Sequence, residues 1–218
     1  MWRTAQAEGC CSVRDLAGAP VAEMLPMRRF SWRPGQRHRP GLQFMVATGR
    51  LLLALDFVGG VEEVLSQPFR LRFITAEGAA EHTPDFLVLT PGAGWLLDVR
   101  PAELVGPGDM VRFAAMARAA AAVGWRYAVV AGWRHQVMAG VEALSARRRA
   151  MSDPLGLQAV MLDVVARAPG PLRQVVEGTG VAAVARPHLV HLLWHRRLSV
   201  DLAEPLGDGS WIFAVPRS

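Results

Sequence analysis

The sequence contains no lysine and no asparagine, and all 24 of its basic residues are arginines. A site that needs the titratable amine of lysine therefore has no candidate in this chain. The two cysteines, Cys10 and Cys11, are adjacent, so neither a disulfide framework nor a CxxC metal site is predicted. No run approaches the roughly 18 apolar residues of a membrane helix, and residues 1 to 15 lack the apolar core of a signal peptide. We expect a soluble, cytoplasmic protein that does not bind a membrane.

The remaining composition is typical of a globular protein. With 218 residues, of which 51% are hydrophobic, the chain is long enough for one large domain or two small ones. The net charge of +5 and the pI near 10.7 are compatible with a polyanionic partner such as DNA, but they do not by themselves indicate one.

Residues 82 to 100 carry the clearest chemical pattern in the chain. Two apolar runs, residues 86 to 89 and 95 to 99, flank a turn segment that is rich in glycine and proline. This pattern predicts a β-hairpin, with residues 91 to 94 as its loop.

The predicted hairpin brings acidic and basic side chains together. Its register pairs Asp85 with Arg100 and Leu87 with Asp98, and since side chains alternate along a strand, all four share one face. Two carboxylates on that face could hold a divalent cation, with the arginine beside it. His82 either approaches the metal or a phosphate, or caps the entrance of the strand. The alternative is an ordinary exposed face in which Asp85 is only a turn residue.

The order of these residues resembles the PD-(D/E)xK nuclease superfamily, in which two acids bind Mg²⁺ and a lysine two residues later assists the attacking water. Pro84-Asp85 and Asp98-Val99-Arg100 match it, with Arg100 in the lysine position. A wider pattern resembles the TnsA-like endonuclease subunits of heteromeric transposases, over residues 40 to 214. Its motifs are SQPF at 66 to 69, HTPDF at 82 to 86, LLDVRPAELV at 96 to 105, FAAMARAAAAVGW at 113 to 125 and HLLWHRRLSVDL at 191 to 202.

This resemblance implies an endonuclease subunit that uses Mg²⁺ or Mn²⁺ to cut the 5′-end, non-transferred strand at transposon DNA ends. It implies catalytic roles for Asp85, Asp98 and Arg100, with the two aspartates as metal ligands. It also implies two protein partners, a companion integrase-type transposase that cuts the other strand and an AAA+ ATPase regulator.

Two departures from the family pattern favour an alternative, a catalytically inactive subunit that binds DNA and its partners. Arg100 replaces the lysine, and arginine cannot give up a proton. When the family's acid–aromatic pair is aligned with Asp56-Phe57, Thr48 stands where a helix glutamate is expected. Glu62 and Glu63, just beyond that helix, are substitute carboxylates outside the aligned position.

Strands interspersed with helices predict an α/β fold, and the resemblance implies a restriction-endonuclease-like mixed sheet flanked by helices. Helices are predicted at 42 to 57, at 109 to 123 with Asp109 as N-cap, and at 137 to 151. Strands are predicted at 67 to 74, in the same sheet as the hairpin, and at 126 to 131.

The segment Ser152-Asp153-Pro154 predicts a domain boundary, since the residue before proline disfavours helix. Beyond it, three helices and a terminal hairpin predict a small winged-helix-like domain. The helices are 155 to 167, 172 to 177 and 187 to 197, and the strands are 198 to 202 and 211 to 215. The predicted domains are a basic, partly disordered extension at 1–40, a nuclease domain at 41–152 and the winged-helix-like domain at 153–218.

Two arginine clusters are candidate DNA contacts. They are Arg28, Arg29, Arg33 and Arg37, interleaved with Phe30 and Trp32, and Arg147, Arg148 and Arg149 at the end of a helix. The first cluster also suits a solvated extension, and the second suits a helix C-terminus. His188, His191 and His195 share a helix face without patterned acidic or cysteine partners, which favours packing or phosphate contact over zinc.

Overall fold

The protein is a mixed α/β fold, as the sequence predicts. The structure, a computed structural model, describes residues 24–26, 30–32 and 45–216. The helices are α1 (Met45–Val58), α2 (Pro107–Ala122), α3 (His135–Leu144), α4 (Leu157–Arg167), α5 (Leu172–Glu177) and α6 (Ala182–Trp194). The strands are β1 (Met24–Pro26), β2 (Phe30–Trp32), β3 (Glu63–Ser66), β4 (Phe69–Thr75), β5 (Gly78–His82), β6 (Phe86–Thr90), β7 (Ala93–Val99), β8 (Arg126–Val130), β9 (Gly170–Pro171), β10 (Leu198–Val200) and β11 (Trp211–Ala214). No helix in these ranges combines the length and the apolar character that a membrane span requires.

The chain divides into two compact units, and the division differs from the predicted one. The first unit contains Gly59–Gly132 with the described residues before Gly49, and the second contains Gly49–Val58 and Trp133–Ser218. The boundary predicted at 152 to 154 therefore lies inside the second unit. The Asp-Pro sequence at 153 and 154 marks the start of a helix and not of a domain. The Asp153 carboxylate accepts the backbone N–H groups of Leu157 and Gln158, each at 2.9 Å, and so caps α4.

Most of the predicted N-terminal extension, including Arg28, Arg29, Arg33 and Arg37, lies outside the described residues. Two of its segments are described, and both are strands. β1 pairs with β4 and β2 pairs with β3, so at these two points the chain belongs to the sheets.

A five-stranded mixed sheet in the order β2-β3-β6-β7-β8 forms the centre of the first unit. Its pairs are antiparallel except β7 with β8, which run parallel. The parallel connection passes through α2, whose Met116 and Ala120 are fully buried. They share a core with Leu87 and Leu96 of the hairpin strands, so one face of the sheet is covered by this helix.

The predicted β6–β7 hairpin is present, but its loop is shorter than predicted. Thr90 pairs with Ala93, which leaves Pro91 and Gly92 as a two-residue connection. The Thr90 hydroxyl donates to the Ala93 carbonyl at 2.8 Å and closes the turn. The register is therefore displaced by two residues from the predicted one, and an even displacement keeps each side chain on its predicted face.

Strand β4 lies where the sequence predicts a strand, and one of its sides is exposed as predicted. It does not belong to the sheet of the β6–β7 hairpin, in which the sequence predicts it. It lies between β1 and β5 in a separate three-stranded sheet. Phe69, Leu71 and Phe73 are buried in the core that α2 also contributes to. On the other side, Arg70 and Arg72 donate to the Glu81 carboxylate of β5.

The second unit is built on α4, α5 and α6 with a three-stranded antiparallel sheet in the order β10-β11-β9. Its core includes Met161, Leu189 and Ile212, all fully buried. Leu192, Leu193 and Trp194 of α6 are buried as well. Helix α6 begins at Ala182 rather than at residue 187, so its proline stands inside the helix and not at its first position.

Helix α1 packs with this second unit from Gly49 onward. Ala54 joins the core, and the Phe57 ring lies 5.3 Å from the Trp194 ring, centroid to centroid. The Arg50 side chain contacts Glu142 of α3 at 2.9 Å.

Gly94 in β7 allows the Trp125 ring to approach the strand. A methyl group on Gly94 would lie 2.7 Å from the Trp125 Cδ1 atom, while one on Gly92 would meet nothing within 4 Å. We expect Gly94→Ala to lower the free energy of unfolding by about 1–3 kcal/mol, because the packed indole has to shift. Gly92→Ala is the matched control in the same hairpin and should change it by less than about 0.5 kcal/mol. Equal effects of the two variants in denaturant titrations would contradict this account.

Candidate active site

Asp85 and Asp98 lie together at the end of the β6–β7 hairpin. The ladder ends with Phe86 opposite Leu97, and the next position along each strand is an aspartate. Asp98 Oδ1 accepts the Asp85 backbone N–H at 3.2 Å, and Asp85 Oδ2 accepts the Val99 backbone N–H at 2.7 Å. Each carboxylate is thus held by the backbone of the other strand.

Asp98 is the more buried of the two, with 3% of its surface exposed. Its Oδ2 atom accepts the Tyr127 hydroxyl at 2.5 Å and lies 2.7 Å from Nε2 of His82, which donates when the proton is on that nitrogen. Tyr127 comes from β8 and His82 from the end of β5. Elements from both sheets of the first unit therefore fix this carboxylate.

Burial dominates the electrostatics of the site. It raises the pKa of Asp85, an effect partly offset by the Val99 N–H and reinforced by the charge of Asp98. It also raises the pKa of Tyr127 far above its ordinary value, and the Asp98 carboxylate adds to this shift. The Tyr127 hydroxyl thus remains a hydrogen-bond donor throughout the pH range in which proteins work.

Arg100 does not stand opposite Asp85, contrary to the sequence prediction. It follows the last residue of β7, and its side chain is exposed. Its Nε atom donates to the Leu104 carbonyl at 3.2 Å, and one terminal nitrogen lies 3.3 Å from Asp109 Oδ2. The pKa of Asp85 is raised overall. The Arg100 guanidinium opposes this rise, but its effect is the weakest of the contributing groups.

The prediction that Asp109 is the N-cap of α2 is wrong, because Asp109 lies inside the first turn of this helix. Gly106 occupies the cap position, and Asp109 Oδ2 accepts its backbone N–H at 3.0 Å. The same carboxylate contacts Arg100 and Arg112, so it links the helix start to the residue after β7.

The proposed substitutes for the missing helix glutamate do not approach the aspartates. Glu63 stands opposite Leu89, four residues along β6 from Asp85, which is roughly 13 Å. Glu62 is farther along the chain in the same direction and is exposed. Asp56 lies in the second unit, where Arg148 and His195 oppose the rise in its pKa that burial causes.

The remaining candidates belong to the second unit. Arg147 and Arg149 are exposed and Arg148 is partly buried, after the end of α3. His191 Nδ1 lies 2.9 Å from the Arg147 carbonyl, and its ring is 4.3 Å from that of His195. His188 is buried and contacts Gln158 at 3.4 Å. His188 and His191 thus make packing contacts inside the second unit, and packing is one of the two roles that the sequence predicts for these histidines, beside phosphate contact.

Among the described residues, no group of three or more His, Cys, Asp or Glu side chains forms a metal site. Asp85 and Asp98 nevertheless fit a small hard cation, because Mg²⁺ is commonly held by one or two carboxylates together with water and substrate oxygens. Each aspartate retains an oxygen with spare acceptor capacity, since Asp85 Oδ2 takes the Val99 N–H and Asp98 Oδ2 takes two other contacts.

Tyr127 is the residue of this site that sequence reasoning missed. It is the only tyrosine in the chain, and it lies in the otherwise apolar run 126 to 131. A single hydroxyl in a strand expected beside the acidic hairpin is the signal that points to it. The hydrogen bond itself depends on the parallel pairing of β7 with β8, which no local pattern specifies.

Comparison with known proteins does not extend this picture. No protein-family model matches the chain, and a search of curated proteins finds no match either.

The raised pKa of Asp85 gives a prediction for stability. Between its ordinary value of 3.8 and the higher folded value, the folded protein keeps a proton that the unfolded chain releases, so stability falls as pH rises through this window. We expect Asp85→Asn to be more stable than wild type near neutral pH, with a difference that disappears as the pH falls towards 3.8. The amide oxygen can still accept the Val99 N–H. Asp163→Asn, at an exposed position on α4, is the control in thermal unfolding across this pH range. A constant difference at every pH would show that the carboxylate charge is not responsible.

Proposed function

We propose that this protein is a metal-dependent DNA endonuclease subunit of the TnsA-like kind, which hydrolyses the 5′-end, non-transferred strand at transposon ends. The observation that carries the proposal is that Asp85 and Asp98 meet just beyond the last pair of the β6–β7 ladder, where each carboxylate accepts a backbone N–H from the other side of the hairpin. These are the two acids of the PD-(D/E)xK pattern, and they are adjacent in space as well as ordered in sequence.

The architecture is compatible with this function. A mixed sheet with α2 on one face suits a restriction-endonuclease-like domain, and the three helices with a three-stranded sheet suit a winged-helix-like domain. We propose that the second unit positions DNA or docks the partner proteins, since all candidate metal ligands lie in the first. Those partners are a companion integrase-type transposase and an AAA+ ATPase regulator.

Asp85 and Asp98 would hold Mg²⁺ or Mn²⁺ through their carboxylate oxygens. Such a cation would supply Lewis-acid chemistry, polarising the scissile phosphate and activating the attacking water. The protein's own contribution is to keep two negative charges together in a partly buried place. The backbone N–H groups of Asp85 and Val99, together with Tyr127, reduce the repulsion that this arrangement would otherwise cause.

Arg100 is the candidate phosphate ligand. Its guanidinium is exposed and makes two long contacts, to Leu104 and Asp109, which a phosphate with better geometry can replace. Because arginine stays protonated, its role is to stabilise charge on the phosphate and not to accept a proton.

A second candidate function is a catalytically inactive assembly subunit of the same machinery. The observation that favours it is the saturation of Asp98 Oδ2 by Tyr127 and His82, together with the orientation of Arg100 towards Asp109. In that case the acidic pair no longer serves catalysis, and the protein binds DNA and its partners without cutting.

Cleavage in the reconstituted system tests the leading proposal. With the partner proteins, transposon-end DNA and Mg²⁺, we expect 5′-end nicking. Asp98→Ala should reduce its rate by at least about 100-fold, because one of the two proposed metal ligands is lost. Asp163→Ala, which changes an exposed acid of α4, should nick like the wild type. Nicking by Asp98→Ala at the wild-type rate would exclude catalysis at this site.

Direct metal binding separates the two candidate functions. In calorimetric titration of the isolated protein with Mn²⁺, the endonuclease should give a binding heat that disappears in Asp98→Ala, since one of two ligands is removed. An inactive subunit should give no site-specific heat. The Asp163→Ala protein controls for non-specific binding to surface carboxylates.

The role of Arg100 has its own test. We expect Arg100→Ala to slow single-turnover cleavage by about 100-fold, the usual cost of losing a donor that stabilises a charged transition state. Arg100→Lys should retain or raise the rate, since it keeps the charge. Arg112→Ala, on α2 beside the same Asp109, is the matched control for loss of a surface arginine. Cleavage by Arg100→Ala at the wild-type rate, with normal DNA binding, would remove Arg100 from the mechanism.

A further inference from the structure

Tyr127 is hydrogen-bonded to one acid of the candidate site. It stands opposite Leu96 in the parallel β7–β8 pair, one same-face position before Asp98. Its hydroxyl reaches Asp98 Oδ2 at 2.5 Å, and its ring packs near Phe113 of α2, 6.4 Å between centroids. The ring is therefore held by packing, and the hydroxyl by the carboxylate.

The hydrogen bonds leave the Asp98 carboxylate little freedom. A carboxylate has about four acceptor sites, two on each oxygen. On Oδ2 both are used, by Tyr127 and by His82. On Oδ1 one is used, by the Asp85 backbone N–H. The remaining site is on Oδ1, the oxygen that faces the strand carrying Asp85.

Stability alone does not explain this pair. Replacing a buried polar pair by apolar side chains of similar size is often neutral or stabilising. A phenylalanine at 127 and an apolar residue at 98 would suit a core that already contains Leu87, Leu96 and Met116. A partly buried tyrosine whose hydroxyl donates to a buried aspartate instead resembles the outer partners that orient the ligands of metal sites.

We propose that Tyr127 is the positioning residue of the metal site, holding Asp98 so that Oδ1 stays available beside Asp85. This inference rests on the function proposed above. Tyr127 does not touch the cation or the substrate. It acts by fixing the carboxylate, so its loss lets Asp98 rotate and use Oδ2, at the cost of the paired arrangement.

Calorimetric titration with Mn²⁺ tests the proposal on the full chain. Tyr127→Phe removes only the hydroxyl, and we expect it to weaken Mn²⁺ binding by about 10-fold or more, the usual effect of losing a partner that orients a ligand. Phe113→Leu, which alters packing beside the same ring, should leave the affinity within about threefold of wild type if the hydroxyl and not the packing is responsible. An unchanged or tighter affinity in Tyr127→Phe overturns the proposal. Binding of no Mn²⁺ by the wild-type protein overturns the metal function and this inference together, so the two failures are distinguishable.

A second measurement covers the case in which Tyr127→Phe does not fold. Because Tyr127 is the only tyrosine, protein labelled with ¹³C at the tyrosine ring carbon bonded to oxygen gives one such resonance. We expect saturating Mg²⁺ to shift this resonance in the wild type and to leave it unmoved in Asp98→Asn. A resonance that does not respond in wild-type protein shown by calorimetry to be saturated with Mg²⁺ also overturns the proposal.

Discussion

The pairing of Thr90 with Ala93 sets the register of the β6–β7 hairpin, and with it the positions of Asp85 and Asp98 at the candidate site. With a two-residue turn, the strands come into register so that their last free positions are Asp85 and Asp98, and each acid accepts the other strand's N–H. One more residue in the turn would direct one of the two side chains to the opposite face of the sheet. The position of the two acids thus follows from the length of the turn. Strands β3 and β8 pair with the two outer edges of the hairpin, and α2 packs on its face.

The sequence predicts the hairpin and the face shared by the acids, because alternation is a local property that survives an error of two residues in the register. It does not predict the correct partner of Asp85. Ala93 and Gly94 are small residues that suit a turn, yet both belong to β7, where the Trp125 ring requires the space beside Gly94. The same error in register predicts Arg100 opposite Asp85, whereas its contacts with Leu104 and Asp109 depend on how the chain enters α2.

The predicted domain boundary shows a second kind of limit. Asp-Pro at 153 and 154 is a real local signal, and its effect is to start a helix, because the carboxylate caps α4. Whether a helix start is also a domain start depends on which core the preceding residues join. Val141 and Leu144 of α3 lie in the same core as Leu189 of α6, and that choice is made by tertiary packing. Pro187 similarly indicates a first helical position, although α6 has already made its first turn at that point.

The chain changes unit three times, after Thr48, after Val58 and after Gly132. Helix α1 is therefore encoded among residues of the first unit, while from Gly49 its side chains complete the core of the second, through Ala54 and the ring of Phe57. In genetic terms, a single crossover between two related genes cannot exchange one unit intact. A crossover between the two segments of the second unit would combine α1 of one parent with the buried Trp194 of the other. Either the two units are inherited together, or substitutions in α1 must be matched by substitutions in the residues after Gly132 that pack against it.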